Sequence, residues 1–403
     1  TFYIKELFMY TPKGFLFSTV EAAIKKAGRK DLAIIYSERE AVMAGMFTKN
    51  KIKAAPVRLD IKRIKRGIGQ AIIVNSGNAN ACNGRQGMKD AIEMTELTAR
   101  ALGLKPNSVY VCSTGVIGTP MPMDRIRPKI MELVNNLGKS NIEDVAASIM
   151  TTDTFPKAVS KKIKIDGKRI VISGICKGAG MICPNMATML CFILTDINIE
   201  RSLLNRALKF AVQNSFNKIT VDGDMSTNDT VLIMANGMAG NKPIIEERSN
   251  SAEYRKFSET LYEVTYELSK MIVKDGEGAT KIIEIEVKNA KNDRDAEKAA
   301  FAIANSMLVK TALYGNDANW GRIMAALGYC NISIKEEKVD ISLNNVSVVK
   351  GGVGTGMDKE ANKRLKGNEV KVMVDLNLGK GYSKVLTCDL TEDYVRINAE
   401  YRT

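Results

Sequence analysis

The segment from Lys177 to Leu190, KGAGMICPNMATML, gathers two glycines, a proline and an asparagine directly before Ala187 and Thr188. Glycine reaches backbone conformations closed to other residues and Pro184 fixes its own φ, so such a stretch can hold the chain in a strained turn. Strain of that kind is what an attack on a neighbouring peptide carbonyl requires. The Thr188 hydroxyl could attack the Ala187 carbonyl, and an N-to-O acyl shift followed by hydrolysis would free the Thr188 α-amino group. With a reference pKa of about 7.7 to 8.0, that amine suits a general base at neutral pH. On spacing alone the segment reads more simply as a glycine-rich turn entering a strand, because such turns far outnumber self-cleaving ones.

What the chain lacks bears on that choice. No histidine occurs in its 403 residues, which excludes Ser-His-Asp and Cys-His nucleophile pairs and any histidine-bearing metal site. Its seven cysteines include no C-x-x-C pair and read as buried, reduced thiols rather than a disulfide framework or a zinc site. No acidic cluster has the spacing of an EF-hand loop. A hydrolase or transferase built from this chain needs an unusual base, and a freed terminal amine would be one.

The elements that must position these residues read as an α/β arrangement. At this length two domains, or one large unit, are expected, with any boundary between roughly 190 and 290. Apolar runs near Asp31 and up to Asn75 predict strands, and a helix is expected from Arg85 to Leu102. SVYVCSTGVIG predicts a strand running into a glycine loop, followed by a helix over Met123 to Leu137 that contains Pro128. KKIKIDGKRIVISGIC predicts a hairpin turning at Asp166-Gly167 in a type I′ turn. TMLCFILTD reads as a strand buried on both faces, which places Thr188 at its very beginning. Further on, Phe257, Leu261, Val264, Leu268 and Ile272 form one stripe of a helix over Ser251 to Lys274. KIIEIEV predicts a strand, Asp293 to about Ala312 one long helix, and KVDISLNNVSVV and EVKVMVDLNL more strands. GGVGTG at Gly351 to Gly356 lacks the third glycine of a dinucleotide fingerprint, Met357 standing in its place, and reads as a turn. SGNANACNG at Ser76 to Gly84 is a polar loop with no catalytic role assigned.

Lysine and arginine (59) exceed aspartate and glutamate (45), for a formal charge of +14, and the basic residues are densest in KNKIKAAPVRLDIKRIKRG, Lys49 to Gly67. Nucleic-acid binding is one reading. Aromatics are 6% with a single Trp, and no helix-turn-helix, RRM or zinc-finger pattern occurs, which favours a solvated basic surface that attracts anionic small molecules. No apolar run reaches the roughly 20 residues of a membrane helix and the first residues lack the form of a secretory signal, so a cytoplasmic protein is expected.

The motif KGAGMICPNMATML resembles the cleavage signature of the ornithine acetyltransferase family, the bifunctional glutamate N-acetyltransferases of arginine biosynthesis. The resemblance extends along the chain through TPKGF (11–15), AGMFTKNKIKAAPV (44–57), IVNSGNANAC (73–82), STGVIG (113–118), TTDTFPK (151–157), DGEGATK (275–281), YGNDANWGR (314–322) and the terminal INAEYRT. It implies an α/β fold of layered sheets and helices, N-terminal-nucleophile-like, with two intimately packed lobes. It implies cleavage into fragments 1–187 and 188–403, the second including a C-terminal lobe from about 285, assembled as a heterotetramer or larger. Thr188 would be self-cleavage nucleophile and acetyl carrier, taking acetyl from N-acetylornithine, releasing ornithine and passing the acetyl to glutamate. Thr114 and Gly115 match the oxyanion-hole pair, and Thr151, Lys177, Thr188, Glu277, Asn398 and Thr403 the substrate contacts, Thr151 being chosen over Thr152 and Thr154 of the same TTDT run, which leaves open which threonine faces the ligand. No bound cofactor is implied; acetyl-CoA would enter as a substrate. The competing enzyme reading is an N-terminal-nucleophile amidohydrolase or aminopeptidase, which would give the acyl group to water.

Overall fold

The computed structural model describes residues 9–183 and 189–400. Ala187, Thr188 and Thr403 fall outside the described residues. The chain forms two compact units: residues 9–178, 189–217 and 225–271 make the first, and 179–183, 218–224 and 272–400 the second.

The first unit is built on strands β1 (Phe15–Val20), β2 (Leu32–Phe47), β3 (Ile68–Asn75), β4 (Val109–Ser113), β5 (Lys157–Ile165), β6 (Lys168–Lys177), β7 (Leu190–Thr195) and β8 (Thr230–Ala235). They lie in the order β4-β3-β2-β8-β7-β6-β5, with β1 added to β2. The β3–β4 and β7–β8 pairs are parallel and the others antiparallel. β2 outruns the strand expected near Asp31 because it serves three partners. Its first half pairs with β1 and β3, its second half with β8, and the register with β3 slips between Tyr36 and Ala41, across the exposed triplet Glu38-Arg39-Glu40.

Side chains alternate across this sheet and both faces are covered. Ile34, Ile73 and Val111 pack with Met94 of the helix Gly84–Leu102 and Ile126 of the helix Met123–Asn135. Ala33, Ile72 and Tyr110 point the other way, into a core shared with Phe17, Phe192, Leu232 and Val145 of the helix Ile142–Ser148. Every residue of β7 is buried, which is why its sequence is one continuous apolar run. On β6 a Cβ at Gly174 would sit 2.8 Å from Leu268 and 3.1 Å from Val264, both on the helix Ala252–Lys274. The β5–β6 hairpin turns where expected, with Ile165 paired to Lys168 and Asp166 and Gly167 at φ 47° and 75°.

The basic stretch is not wholly a solvated surface. Its residues Ala55–Arg63 form a helix whose Asp60 and Arg63 are buried against the outer edge of β4. Both Asp60 oxygens accept from the Val111 N–H at 3.2 Å, while Arg63 donates to the Val109 carbonyl (2.5 Å) and the Thr95 hydroxyl (2.8 Å). Side chains thus satisfy edge-strand groups that would otherwise be open to another chain.

In the second unit, β9 (Ile282–Ala290), β10 (Asp340–Leu343), β11 (Val346–Lys350), β12 (Val353–Gly354), β13 (Glu369–Asp375) and β14 (Gly381–Cys388) form a sheet in the order β12-β11-β10-β13-β9-β14. Ile283, Ile285 and Val287 enter its core together with apolar residues of the helices Asp293–Ala304, Met307–Tyr314 and Trp320–Gly328. The single helix expected from Asp293 to about Ala312 is in fact two. Asn305 closes the first, and the Ser306 hydroxyl accepts from the Val309 N–H at 3.3 Å, starting the second. Gly351 and Gly352, at φ 55° and 75°, make the turn between β11 and β12. The layered α/β class expected from the sequence is the one found.

Lys281 explains part of the DGEGATK motif. Its buried ammonium donates to the carbonyls of Leu313 and Leu365 and to Asn316 Oδ1 at 2.7–2.8 Å, tying together the C-terminal ends of Met307–Tyr314 and Asp358–Arg364. Lys281→Met leaves two buried carbonyls and the part-buried Asn316 Oδ1 without this donor and is expected to cost about 3 kcal/mol, seen as a lower urea midpoint; an unchanged midpoint would refute the tie.

Candidate active site

Within the first unit, β4 ends at Ser113 and delivers Thr114 and Gly115 onto the Ser76–Asn80 loop. The Thr114 N–H donates to the Asn75 carbonyl (3.0 Å), and Asn78 bridges to both Thr114 and Val116. Gly115 has φ 136°, and a Cβ there would lie 2.2 Å from the Gly77 carbonyl carbon and 2.4 Å from the Asn78 nitrogen. Those obstacles are backbone, which cannot move aside as a side chain can, so only glycine fits. The Asn228 amide closes the clamp by donating to the carbonyls of Ala79 (2.6 Å) and Ser113 (2.7 Å). Among the described residues the Thr114 hydroxyl has no hydrogen-bond partner. A rigid loop with an uncommitted hydroxyl is chemically able to donate to a developing oxyanion.

Thr151 and Lys177 meet around a residue that sequence reasoning passed over, Asp153. One of its oxygens accepts from the Lys157 ammonium and the Gly178 N–H, both at 2.7 Å; the other accepts from the Thr151 N–H at 3.0 Å and lies 3.8 Å from the Lys177 ammonium. Asp153, Lys157 and Lys177 are all buried. Burial alone would raise the Asp153 carboxyl, but Lys177 and Lys157 together with the hydrogen bonds hold it well below the usual carboxylate range. The trio brings two ammonium groups to one carboxylate. The only hint in the sequence is an aspartate flanked by the threonines of TTDT, where attention falls on which threonine faces a ligand.

The strand that follows Thr188 is fixed at its first residue. Asp229, fully buried at the start of β8, accepts from the Met189 N–H through Oδ1 at 3.2 Å, and among the described residues its Oδ2 meets no hydrogen-bond criterion. Burial pushes this carboxyl well above its ordinary pKa, against the smaller opposing pull of its hydrogen bonds and of Lys177. Burial thus favours the neutral form of Asp229 more than that of an exposed carboxyl. Nothing in DGDMSTND announces this beyond polar residues directly ahead of a buried strand.

Within the second unit, Glu277 and Asn398 are in contact. Asn398, on the helix Glu392–Ala399, donates to Glu277 Oε2 at 2.8 Å, and the Glu277 N–H donates to the Ala179 carbonyl at 3.0 Å. A Cβ at Gly180 would lie 2.3–2.6 Å from the Glu277 carboxylate, so the second glycine of KGAG lets the chain pass directly over it. The residues that follow are held in turn: Asp222 accepts from the N–H groups of Met181 (2.6 Å) and Ile182 (2.9 Å), and the Ile182 carbonyl accepts from Val221 N–H and the Thr220 hydroxyl. Met181 sits at φ 57°, an unusual conformation for a non-glycine residue that these bonds impose. Among the described residues no cluster of three or more side chains suited to a metal occurs.

The description ArgJ family belongs to a family model that matches residues 16–403. The arginine biosynthesis bifunctional protein ArgJ of Geobacter sulfurreducens is 54% identical over 393 residues, covering 97% of this chain and 99% of that protein. The protein of that name from Caldanaerobacter subterraneus is 50% identical over 397 residues, covering 97% and 98%. A crystal structure of the arginine biosynthesis bifunctional protein argJ from Bacillus halodurans is 45% identical and covers 52% of this chain and 97% of that one, with a TM-score of 0.49.

Asp229→Asn supplies the shape of the protonated acid without its titration. Because burial raises this carboxyl in the folded state only, the native chain loses stability as pH rises from the ordinary carboxylate range towards the folded pKa. The variant escapes this term. Its thermal midpoint relative to wild type should rise between pH 5 and 8, and a pH-independent difference would show Asp229 to be ionised.

Proposed function

Because this chain belongs to the ArgJ family, we propose that it is a self-cleaving acetyltransferase of arginine biosynthesis that carries acetyl from N-acetylornithine to glutamate on Thr188. The supporting observation is the 54% identity to an arginine-biosynthesis relative over 97% of this chain and 99% of the relative. In maturation, Thr188 Oγ adds to the Ala187 carbonyl carbon, the peptide C–N bond breaks and the acyl group moves to Oγ as an ester. Water then hydrolyses the ester, leaving an Ala187 carboxylate and a Thr188 with both hydroxyl and α-amine free.

In turnover that amine takes the proton of Oγ as it attacks the acetyl carbonyl of N-acetylornithine, and returns it to the departing ornithine nitrogen. The α-amine of glutamate next attacks the acetyl ester, giving N-acetylglutamate and restoring the Thr188 hydroxyl. Thr114, through its hydroxyl, and Gly115, through its N–H, donate to the oxyanion of each tetrahedral intermediate. Lys177, kept charged beside Asp153, receives a substrate carboxylate, and Glu277 an ammonium group. Thr151, Asn398 and Thr403 supply neutral contacts.

The fragments 1–187 and 188–403 stay together in a heterotetramer or larger assembly, in the cytoplasm, with a C-terminal lobe from about 285 in the second fragment. No helix among the described residues is long and apolar enough to cross a membrane. The reaction as written needs no bound cofactor. That the relatives are described as bifunctional supports acetyl-CoA as a second acetyl donor.

Intact mass spectrometry should find two pieces divided at 187/188 in the native protein and one piece in Thr188→Ala, which should also lose acetyl transfer from N-acetylornithine to glutamate. An undivided active wild type, or a variant cut at the same bond, would sink the mechanism; acetate release without N-acetylglutamate would assign the hydrolase instead. A chain ending at Ile397 should lose at least tenfold in transfer with little change in thermal midpoint, and full activity would remove Asn398 and Thr403 from the site.

A further inference from the structure

Two sequence features remain outside that chemistry: the basic stretch after Lys49 and the asparagine loop that ends at Gly84. They meet in the first unit. A cavity of about 520 Å³ is lined by Lys51, Lys53 and Arg58 from the one and by Asn80, Cys82 and Asn83 from the other. We propose that this cavity binds a phosphate-bearing anion.

Its charge is one-sided. No carboxylate lines it, and among the described residues none of the three cations forms an ion pair. Lys53 donates to the Asn50 carbonyl, which fixes the ammonium without neutralising it. Three cations gathered in one concavity repel each other, and a bound anion relieves that repulsion. The long helix Gly84–Leu102 begins at the same place with no side-chain cap and no acidic residue in its first turn, so its positive end adds to the field. The Asn83 amide already donates to Asn80 and Thr119 and the Asn80 amide to Gly87, so the cations and the helix end carry the anion.

Size and shape choose among anions. The volume lies within the range of small-molecule sites and is far from the extended surface that a nucleic acid needs. Ile52 adds an apolar wall that is 60% exposed, suited to the body of a phosphate ester. The cavity is also joined to the Gly115 clamp, since Asn80 donates its N–H to Asn78 Oδ1 at 2.8 Å and Asn78 bridges to Thr114.

The test is calorimetric titration of the full chain with ADP, inorganic pyrophosphate and adenosine. ADP should bind saturably, adenosine should not, and raising the salt from 0.05 to 0.5 M should weaken ADP at least severalfold by screening. ADP binding more tightly than pyrophosphate assigns an organic ester; equal binding assigns the bare phosphates. The double variant Lys51→Ala/Arg58→Ala, whose side chains make no hydrogen bond among the described residues, should weaken ADP at least tenfold and keep acetyl transfer intact. Absence of binding by both ADP and pyrophosphate, or undiminished ADP binding to the double variant, overturns the site. Acetyl transfer is measured separately, so a failure here leaves the Thr188 chemistry standing, and the reverse also holds.

Discussion

The carboxylate of Asp153 is the interaction on which the rest of the first unit's site depends. It neutralises part of two buried lysines, receives the N–H of Thr151 and receives the N–H of Gly178, where the KGAG turn begins. A lone buried ammonium would lose its proton or the fold would lose stability. With Asp153 present, Lys157 and Lys177 can be buried beside an opposite charge, which the proposed substrate role of Lys177 relies on. The arrangement is high-stakes: taking away one partner of a buried pair costs about 3 to 5 kcal/mol, because a charge is left without compensation.

Asp229 and Asp153 are the same residue type in the same unit with pKa shifts of opposite direction, and their partners explain the difference. Asp153 has two ammonium groups within 4 Å and N–H donors on both oxygens, enough to outweigh desolvation. Asp229 has an N–H donor on one oxygen, none on the other, and complete burial, so desolvation wins.

Much of the architecture was legible because it follows from local rules. The Asp166-Gly167 turn, the buried run of β7 and the apolar stripe along Ala252–Lys274 each appear as a period or a turn signal, and each is found in place. The break at Ser306 was missed because a serine can cap a helix or sit within one, and only the bond to Val309 decides. Arg63 was misplaced because a basic run looks solvated unless one knows which strand edge lies beside it. Among candidate residues, motif resemblance pointed to Thr114, Gly115 and Lys177 in the first unit and to Glu277 and Asn398 in the second. It was silent on Asp153, Asp222, Asn228 and Asp229, whose partners are brought near by folding and carry no local pattern.

The position of β7 and β8 has a bearing on timing. These two strands lie in the middle of the first sheet, β7 against β6 and β8 against β2, while every other strand of that sheet comes from residues before 178. A chain severed at 187/188 before folding would yield one piece whose sheet is parted into two halves and another holding the missing centre, each with bare edges that invite aggregation. Severed afterwards, the pieces are stitched along two seams of backbone hydrogen bonds, from Ile172–Thr195 to Lys177–Leu190 and from Val42–Ala235 to Phe47–Thr230. Under the proposed cleavage, such a sheet would impose an order on maturation: folding would have to come first, and a later scission would leave both seams in place.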